Sequence, residues 1–306
     1  MKNLLEAVGD QVPLHEVLEN YEQFKSIENP SQFAVIHAEP TEYGGVALSA
    51  GHMLALHEVG LYPTIVHGLN QQYIVVEALK HYKLNYIDPG FASNLVSGAH
   101  SASYGYKKKV NDAASPHSSG GPDIAQAISP NWGVLTGTLI NPELLHSVDE
   151  LHVDTAPILT VIQEQSIPIV SSIGKLLPKG EDYKPEAEVW NWCHPPDGHK
   201  IFQPIDVKPD TAASAIAAKL GVSKLVICIE AGGVLDKEEQ VIGELGVEDA
   251  EAMLTSGTGA IHWSQVDKVQ GAIKALKQGV ESVTITSPEN VLQAIFTDAG
   301  KGTLIK

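Results

Sequence analysis

Arginine is missing altogether: the 20 basic residues of this 306-residue chain are all lysine. Arginine supplies the planar, two-pronged donor that clamps carboxylates and phosphates, and lysine does not reproduce that geometry. Any anion site must therefore use lysine, histidine, backbone amides or helix termini. Cysteine is nearly as scarce, and Cys193 and Cys228 alone exclude a disulfide scaffold. No apolar run approaches the ~18 residues that span a bilayer. The opening Met1-Lys-Asn-Leu-Leu-Glu6 lacks the apolar stretch of a secretory signal and is too acidic for a transit peptide. Positive charge is short overall. A formal net charge of −17 argues against a nucleic-acid or anionic-membrane partner, since phosphate binding needs clustered cations. The expectation is a soluble, cytoplasmic protein.

What is present is globular in kind, with 43% hydrophobic and 19% charged residues. The length suits one large or two small domains at ~150 residues each. Leu4, Leu5, Val8, Leu14, Val17, Leu18, Tyr21 and Phe24 recur at helical spacing, interrupted near Pro13, and predict a two-helix N-terminal extension over 1–30. A strand at 33–37, a helix at 46–59 stopped by Gly60 and a strand at 62–67 make a βαβ unit, hence a parallel sheet. A helix is expected at 71–83, then a long loop or hairpin over 88–123 that carries Lys107, Lys108 and Lys109. A strand at 132–139, a helix at 155–165 and a single strand at 167–173 closed by Gly174 follow. The Pro-, Lys- and Trp-rich stretch 175–205 reads as an insertion or crossing.

The last third is the most regular. An Ala-rich helix at 210–220 ends at Gly221, and the apolar run 224–230 is a buried strand that turns tightly through Ala231–Asp236. A helix at 264–278 is predicted, with Ser264 and Asp267 as a capping-box-like start. A strand at 282–286, a helix at 288–295 and a strand at 302–305 complete a three-layer α/β/α sandwich around a mainly parallel sheet. The expected division is an N-terminal lobe over 31–205 and a C-terminal lobe over 206–306.

Seven short stretches carry a family resemblance in order along the chain. They are Phe33-Ala-Val-Ile36, His57-Glu-Val-Gly-Leu-Tyr-Pro-Thr-Ile-Val-His-Gly68, Val153-Asp-Thr-Ala-Pro-Ile158, Ile167-Pro-Ile-Val-Ser-Ser-Ile-Gly174, Asp210-Thr-Ala-Ala213, Ala231-Gly-Gly-Val-Leu-Asp236 and Phe296-Thr-Asp-Ala-Gly-Lys-Gly-Thr-Leu-Ile305. Together they resemble the amino-acid kinase family, and within it the acetylglutamate kinases and the kinase-like part of bifunctional acetylglutamate synthase-kinases. The resemblance implies an N-terminal lobe for an acyl amino acid and a C-terminal lobe for Mg-ATP. It also implies transfer of the γ-phosphoryl group to a side-chain carboxylate with no covalent enzyme intermediate.

Phosphoryl transfer depends on positioning and charge neutralisation, so departures from the family pattern matter directly. The family's Lys-x-Gly-Gly after the first strand aligns with His37-Ala-Glu-Pro40, which replaces the lysine, loses the glycines and adds an acid. The Gly-rich turn after the second strand aligns with His67-Gly68-Leu-Asn70-Gln-Gln72 and keeps one glycine. The family's Asn-x-Asn-x-Asp aligns with Asp206-Val-Lys208-Pro-Asp210, and its second phosphate-neutralising lysine matches Lys268. By resemblance, Lys268, Asp210 and His37 are the candidate catalytic residues. His67, Gly68, Asn70, Asp206 and Lys208 are the candidate substrate contacts, and Gly232, Gly233 and Asp236 the candidate nucleotide contacts. Thr297, Gly300 and Gly302 stand where the family places an arginine effector site against the N-terminal helix.

Two other signals carry less. Thirteen histidines invite a metal site, but the spacing of Cys193, His194, Asp197 and His199 matches no zinc pattern, and no metal is expected. Cys228, inside an apolar strand, reads as core. Neither Gly-x-Gly-x-x-Gly nor a P-loop occurs. The expected function is a divergent acetylglutamate-kinase-like protein with weak or lost phosphoryl transfer and a binding, regulatory or assembly role in amino-acid metabolism. It would take a small-molecule ligand and form a homo-oligomer, a dimer through the N-terminal lobe or a hexamer through residues 3–26. The alternatives are an active kinase with a rebuilt site, using Mg-ATP, and a structural or storage oligomer.

Overall fold

A computed structural model describes residues 1–9, 12–26, 33–39, 48–68, 104, 107, 108, 111, 124–128, 130–140, 148–177, 204–256, 260–298 and 300–306. The expected helix at 71–83 and most of the loops at 88–123 and 175–205 lie outside the described residues.

Eight strands form the main sheet. β1 (Ala34–Ala38) sits at its centre, flanked by β2 (Thr64–His67) and β9 (Lys224–Cys228), both parallel to it. Beyond β2 come β6 (Ile167–Ser171) and β3 (Ala125–Ile128), and beyond β9 come β11 (Ser282–Thr286), β12 (Thr303–Ile305) and β10 (Glu244–Leu245). Only the β11–β12 pairing is antiparallel among these. A second sheet runs β5 (Val148–Val153), β4 (Leu135–Leu139), β7 (Ile173–Leu176) and β8 (Pro204–Asp206).

Side-chain alternation on the central strands feeds two cores. Val35, Val66, Leu225 and Ile227 enter one apolar cluster, while Ile36, Ile65, Val226 and Cys228 enter the other. The first cluster is closed by α4 (Ala156–Gln163), α5 (Pro209–Leu220), α6 (Val247–Thr255) and α7 (Val266–Lys277). The second is closed by α1 (Lys2–Val8), α2 (Leu14–Ser26), α3 (Ala50–Glu58) and α8 (Val291–Phe296). This is the three-layer arrangement. Alanines at 212, 213 and 217 bring α5 down against the centre of the sheet, and Gly221 ends it in a left-handed conformation at φ 67°. Phe24 on α2 packs against Phe33 and Phe296 with ring centroids 5.3 and 5.8 Å away, so the N-terminal helices are built into the second core.

Several elements differ from the sequence expectations. The strand read as continuous over 167–173 breaks at Ser172 into β6 and β7, which belong to different sheets. Ser264 is no cap. It lies in a 3-10 turn at Trp263–Gln265, its hydroxyl paired with His262 Nδ1 at 2.8 Å, and Gln265 precedes α7. A similar turn at Pro130–Trp132 delays β4, and one at Pro288–Asn290 precedes α8. Strands β3, β5, β8 and β10 and helix α6 were not read from the sequence at all; most are short, and β5 is only half-buried.

Candidate functional site

Open parallel sheets bind ligands at the carboxyl ends of their strands where the strand order reverses. Here that point lies beside β1, whose carboxyl end carries His37 and Glu39, with His67 and Gly68 next to it on β2. Ser172 links them to the second sheet: its N–H donates to the His67 carbonyl at 2.9 Å, and its own carbonyl accepts from the Val207 N–H at 3.1 Å. Asp206, the last residue of β8, registers with Ile173 one step farther on.

Two helices aim their N-termini at this end. Asp210 lies in the first turn of α5 and Lys268 in the first turn of α7. Lys208, just before α5, donates to both carboxylate oxygens of Asp267 at 2.9 and 3.0 Å and ties the two helix starts together. Ser214 does the same one turn deeper, donating to the Asp210 carbonyl at 2.7 Å or the Gly271 carbonyl at 2.8 Å. The fold thus assembles His37, Asp210 and Lys268, which are distant in sequence.

The charges there are mostly spent on one another. Lys268 Nζ contacts the Glu39 carboxylate, with the lysine side chain 11% exposed and the glutamate 38%. Burial works against the lysine charge, yet Asp210 and Glu39 hold it above the ordinary lysine value. Burial likewise opposes the Asp210 charge, but His37 and Lys268 keep that carboxyl below its usual range. His37 Nδ1 approaches Asp210 Oδ1 to 3.3 Å without hydrogen-bond alignment, and both atoms are buried with no hydrogen-bond partner. Glu39, the acid that stands where the resemblance implies a glycine, is the direct partner of Lys268. A cation in the first turn of a helix opposes the macrodipole, and the two carboxylates beside Lys268 offset that cost.

The residues expected to contact substrate divide. His67 is fully buried; burial lowers its pKa to about 4, with His37 adding to the effect, so it is neutral at pH 7. Gly68 is required by packing, because a Cβ there would sit 2.4 Å from Pro209 Cγ. Burial raises the Asp206 carboxyl to about 6. Asn70 lies outside the described residues. The sequence reading missed Ser171 and Ser172, whose buried hydroxyls have no hydrogen-bond partner. The Ser-Ser pair inside an apolar strand was the signal available for them.

The residues expected to contact a nucleotide and an effector are held by turns and loop contacts. Gly232 takes φ 75°, and a Cβ on Gly233 would lie 2.5 Å from Val241 and 3.0 Å from Thr303 Oγ1. Asp236 Oδ1 accepts from the N–H groups of Glu238 and Gln240 at 2.9 Å, so it fixes its own turn. Thr297 donates to Glu16 on α2 at 2.5 Å, and Asn20 donates to the Phe296 carbonyl at 3.0 Å. Gly300 lies beside the start of that loop, and Gly302, at φ 125°, leaves no room for a side chain against the Ile285 carbonyl. Elsewhere a cleft of about 700 Å³ opens between β5 and the α5–α7 pair. Its lining includes Lys208 but not His37, Asp210 or Lys268. Among the described residues no group of three metal-ligating side chains occurs, and no helix is long and apolar enough to cross a membrane.

Known proteins place this arrangement. Residues 124–287, more than half of the chain, match the model of the amino acid kinase family. Acetylglutamate kinases of Brucella anthropi and Brucella suis are 40% identical over 112 residues, a stretch covering 36% of this chain and 36% of each relative. The aligned part thus spans about a third of the length of those curated relatives. Among solved structures, the fold is similar to N-acetylglutamate synthase from Neisseria gonorrhoeae complexed with coenzyme A and L-arginine, with TM-score 0.63 and 16% identity over 95% of this chain and 64% of that one. It is also similar to smu.665 from Streptococcus mutans UA159 (TM-score 0.61, 17% identity, 90% and 98% covered) and to carbamate kinase from Giardia lamblia bound to AMP-PNP (0.59, 12%, 90% and 99%). At these identities the structures speak for the fold alone. By its sequence match and its architecture, the chain belongs to the amino acid kinase family.

Proposed function

We propose that this protein is a divergent acetylglutamate-kinase-like member of the family, with weak or lost phosphoryl transfer and a ligand-binding, regulatory role in amino-acid metabolism. The observation that carries the reading is Glu39 on Lys268. A transferring phosphoryl group needs cations that are free to follow its developing charge. Here the cation the resemblance assigns to it already faces Glu39 and Asp210, and His37 stands where a second lysine would be. A Mg-ATP complex entering this end meets more carboxylates than cations. A small-molecule ligand, an N-terminal lobe over 31–205, a C-terminal lobe over 206–306 and assembly into homo-oligomers belong to the same reading.

One observation favours an active kinase with a rebuilt site. Asp210, Lys268 and His37 are drawn together although little else of the catalytic pattern survives. In that case Lys268 carries most of the charge stabilisation, Asp210 orients it, and Glu39 must swing aside. Calorimetric titration with Mg-ATP, together with an ADP-release assay using N-acetyl-L-glutamate, separates the two. The first reading expects no micromolar nucleotide binding and no turnover. Micromolar binding with turnover that Lys268→Ala abolishes would establish the second.

A further inference from the structure

We infer that the cleft between β5 and the α5–α7 pair is a binding site of its own, one that takes an aliphatic carboxylate. It does not depend on the kinase-like reading, because neither Asp210 nor Lys268 lines it.

Shape comes first. The cleft holds about 700 Å³, inside the ~300–1,000 Å³ usual for small-molecule sites. One wall is α5. Lys208, Thr211, Ala215, Ala218 and Lys219 recur at helical spacing, so they share a face over roughly 16 Å of its length. The two alanines keep that wall low where longer side chains would fill the space. Leu151 and Val153 of β5 and the buried Val207 add apolar surface. No phenylalanine, tyrosine or tryptophan is among the described lining residues. The cleft therefore suits a hydrocarbon body and offers a flat ring little to stack on.

Charge supplies the other half. The chain has 37 acids against 20 lysines, yet the described lining carries three lysines and one acid, Asp149. A cleft lined mainly by one sign of charge draws in the opposite sign. Lys208 is taken up by Asp267. Lys219 and Lys274 make no ion pair among the described residues, whereas Lys277, in the same last turn as Lys274, takes Glu251.

The packing of the two helices sets these lysines level. Ser214 meets Gly271, and α5 and α7 start from the same end of the sheet. Lys219 is five residues beyond Ser214 and Lys274 three beyond Gly271. At ~1.5 Å per residue they stand within about 3 Å of one level along the helix pair. Both lie in last turns, where the macrodipole favours a cation. Two point-charge donors at one end of an aliphatic trough match a carboxylate head with a hydrocarbon tail.

The test titrates octanoate calorimetrically against the full chain. Acetate, with the same head and no tail, and 1-octanol, with the same tail and no charge, are the controls. Octanoate should bind at least tenfold more tightly than either. Lys219→Ala with Lys274→Ala, both exposed positions, should bring octanoate down to the level of 1-octanol. Ala218→Leu, which fills the trough and leaves the charges, should weaken octanoate at least tenfold. Circular dichroism verifies the fold of each variant, and the double lysine variant decides alone if Ala218→Leu does not fold. Lys268→Ala should leave octanoate affinity unchanged. No binding of octanoate overturns the inference, as does acetate or 1-octanol binding as tightly, unchanged affinity in either folded cleft variant, or loss of affinity in Lys268→Ala. Turnover of Mg-ATP, or its absence, bears on the kinase reading and leaves this comparison intact.

Discussion

Ser214 and Gly271 lock α5 to α7: the serine hydroxyl lies 2.8 Å from the glycine carbonyl, in space that a Cβ on Gly271 would narrow to 3.0 Å from the hydroxyl and 3.2 Å from the Asp210 carbonyl. The two helices carry Asp210 and Lys268, so their separation sets the geometry of the site.

Gly271→Ala should therefore cost stability despite the ~1 kcal/mol helix-propensity advantage of alanine. Overpacking costs ~1–3 kcal/mol, which leaves a net loss of up to about 2 kcal/mol. A lower midpoint in thermal unfolding is expected. A midpoint equal to or above the wild type would mean that the helices can part without cost.

Glu39→Gln should release Lys268. Removing the carboxylate from the lysine is expected to strengthen binding of inorganic phosphate or Mg-ATP by tenfold or more, about 1.4 kcal/mol. Calorimetry on the wild type, Glu39→Gln and Glu39→Gln with Lys268→Ala would show the gain in the second protein and its disappearance in the third. Unchanged affinity in Glu39→Gln would mean that the ion pair does not guard the lysine.

Stability should be nearly flat with pH between about 4 and 6, because two buried groups act oppositely there. His67 has its folded pKa lowered from 6.5 to about 4, so over that interval the unfolded chain holds the extra proton and stability rises with pH. Asp206 has its folded pKa raised from 3.8 to about 6, so the folded chain holds the extra proton and stability falls as pH rises. Denaturant titrations at several pH values should show a steep acid-side loss in Asp206→Asn and a stability that falls with rising pH in His67→Gln. Identical profiles in all three proteins would remove the compensation.

Leu14 and Leu18 on α2 are 56% and 38% exposed, although Val17 and Phe24 on the same helix are buried. If the chain assembles through its N-terminal helices, Leu14→Glu with Leu18→Glu should shift it to smaller species in light scattering without lowering the thermal midpoint. Unchanged mass in an oligomer would place the contact elsewhere.

The central strands and the Ala-rich helix were legible because long apolar runs, terminal glycines and alanine spacing each report one local cause. The short strands were not, since β10 and β8 hold two and three residues and owe their pairing to neighbours. The break at Ser172 was hidden for a related reason: an apolar strand reads the same whether it stays in one sheet or passes to another. Lys268, Asp210 and His37 could be named from the resemblance. The attachment of Glu39 to Lys268 could not, because residues 229 positions apart meet only through the packing of α7 on the sheet.

The passage of one strand between two sheets has a mechanical consequence. β6 and β7 are joined at Ser172, and β7 is pinned to β8 where Ile205 packs over Gly174. A tilt of the small sheet would act as a lever with its fulcrum at Ser172, beside the two unpartnered hydroxyls. Any such tilt would reach the His67 carbonyl and the Val207 N–H directly, because the backbone of Ser172 is bonded to both.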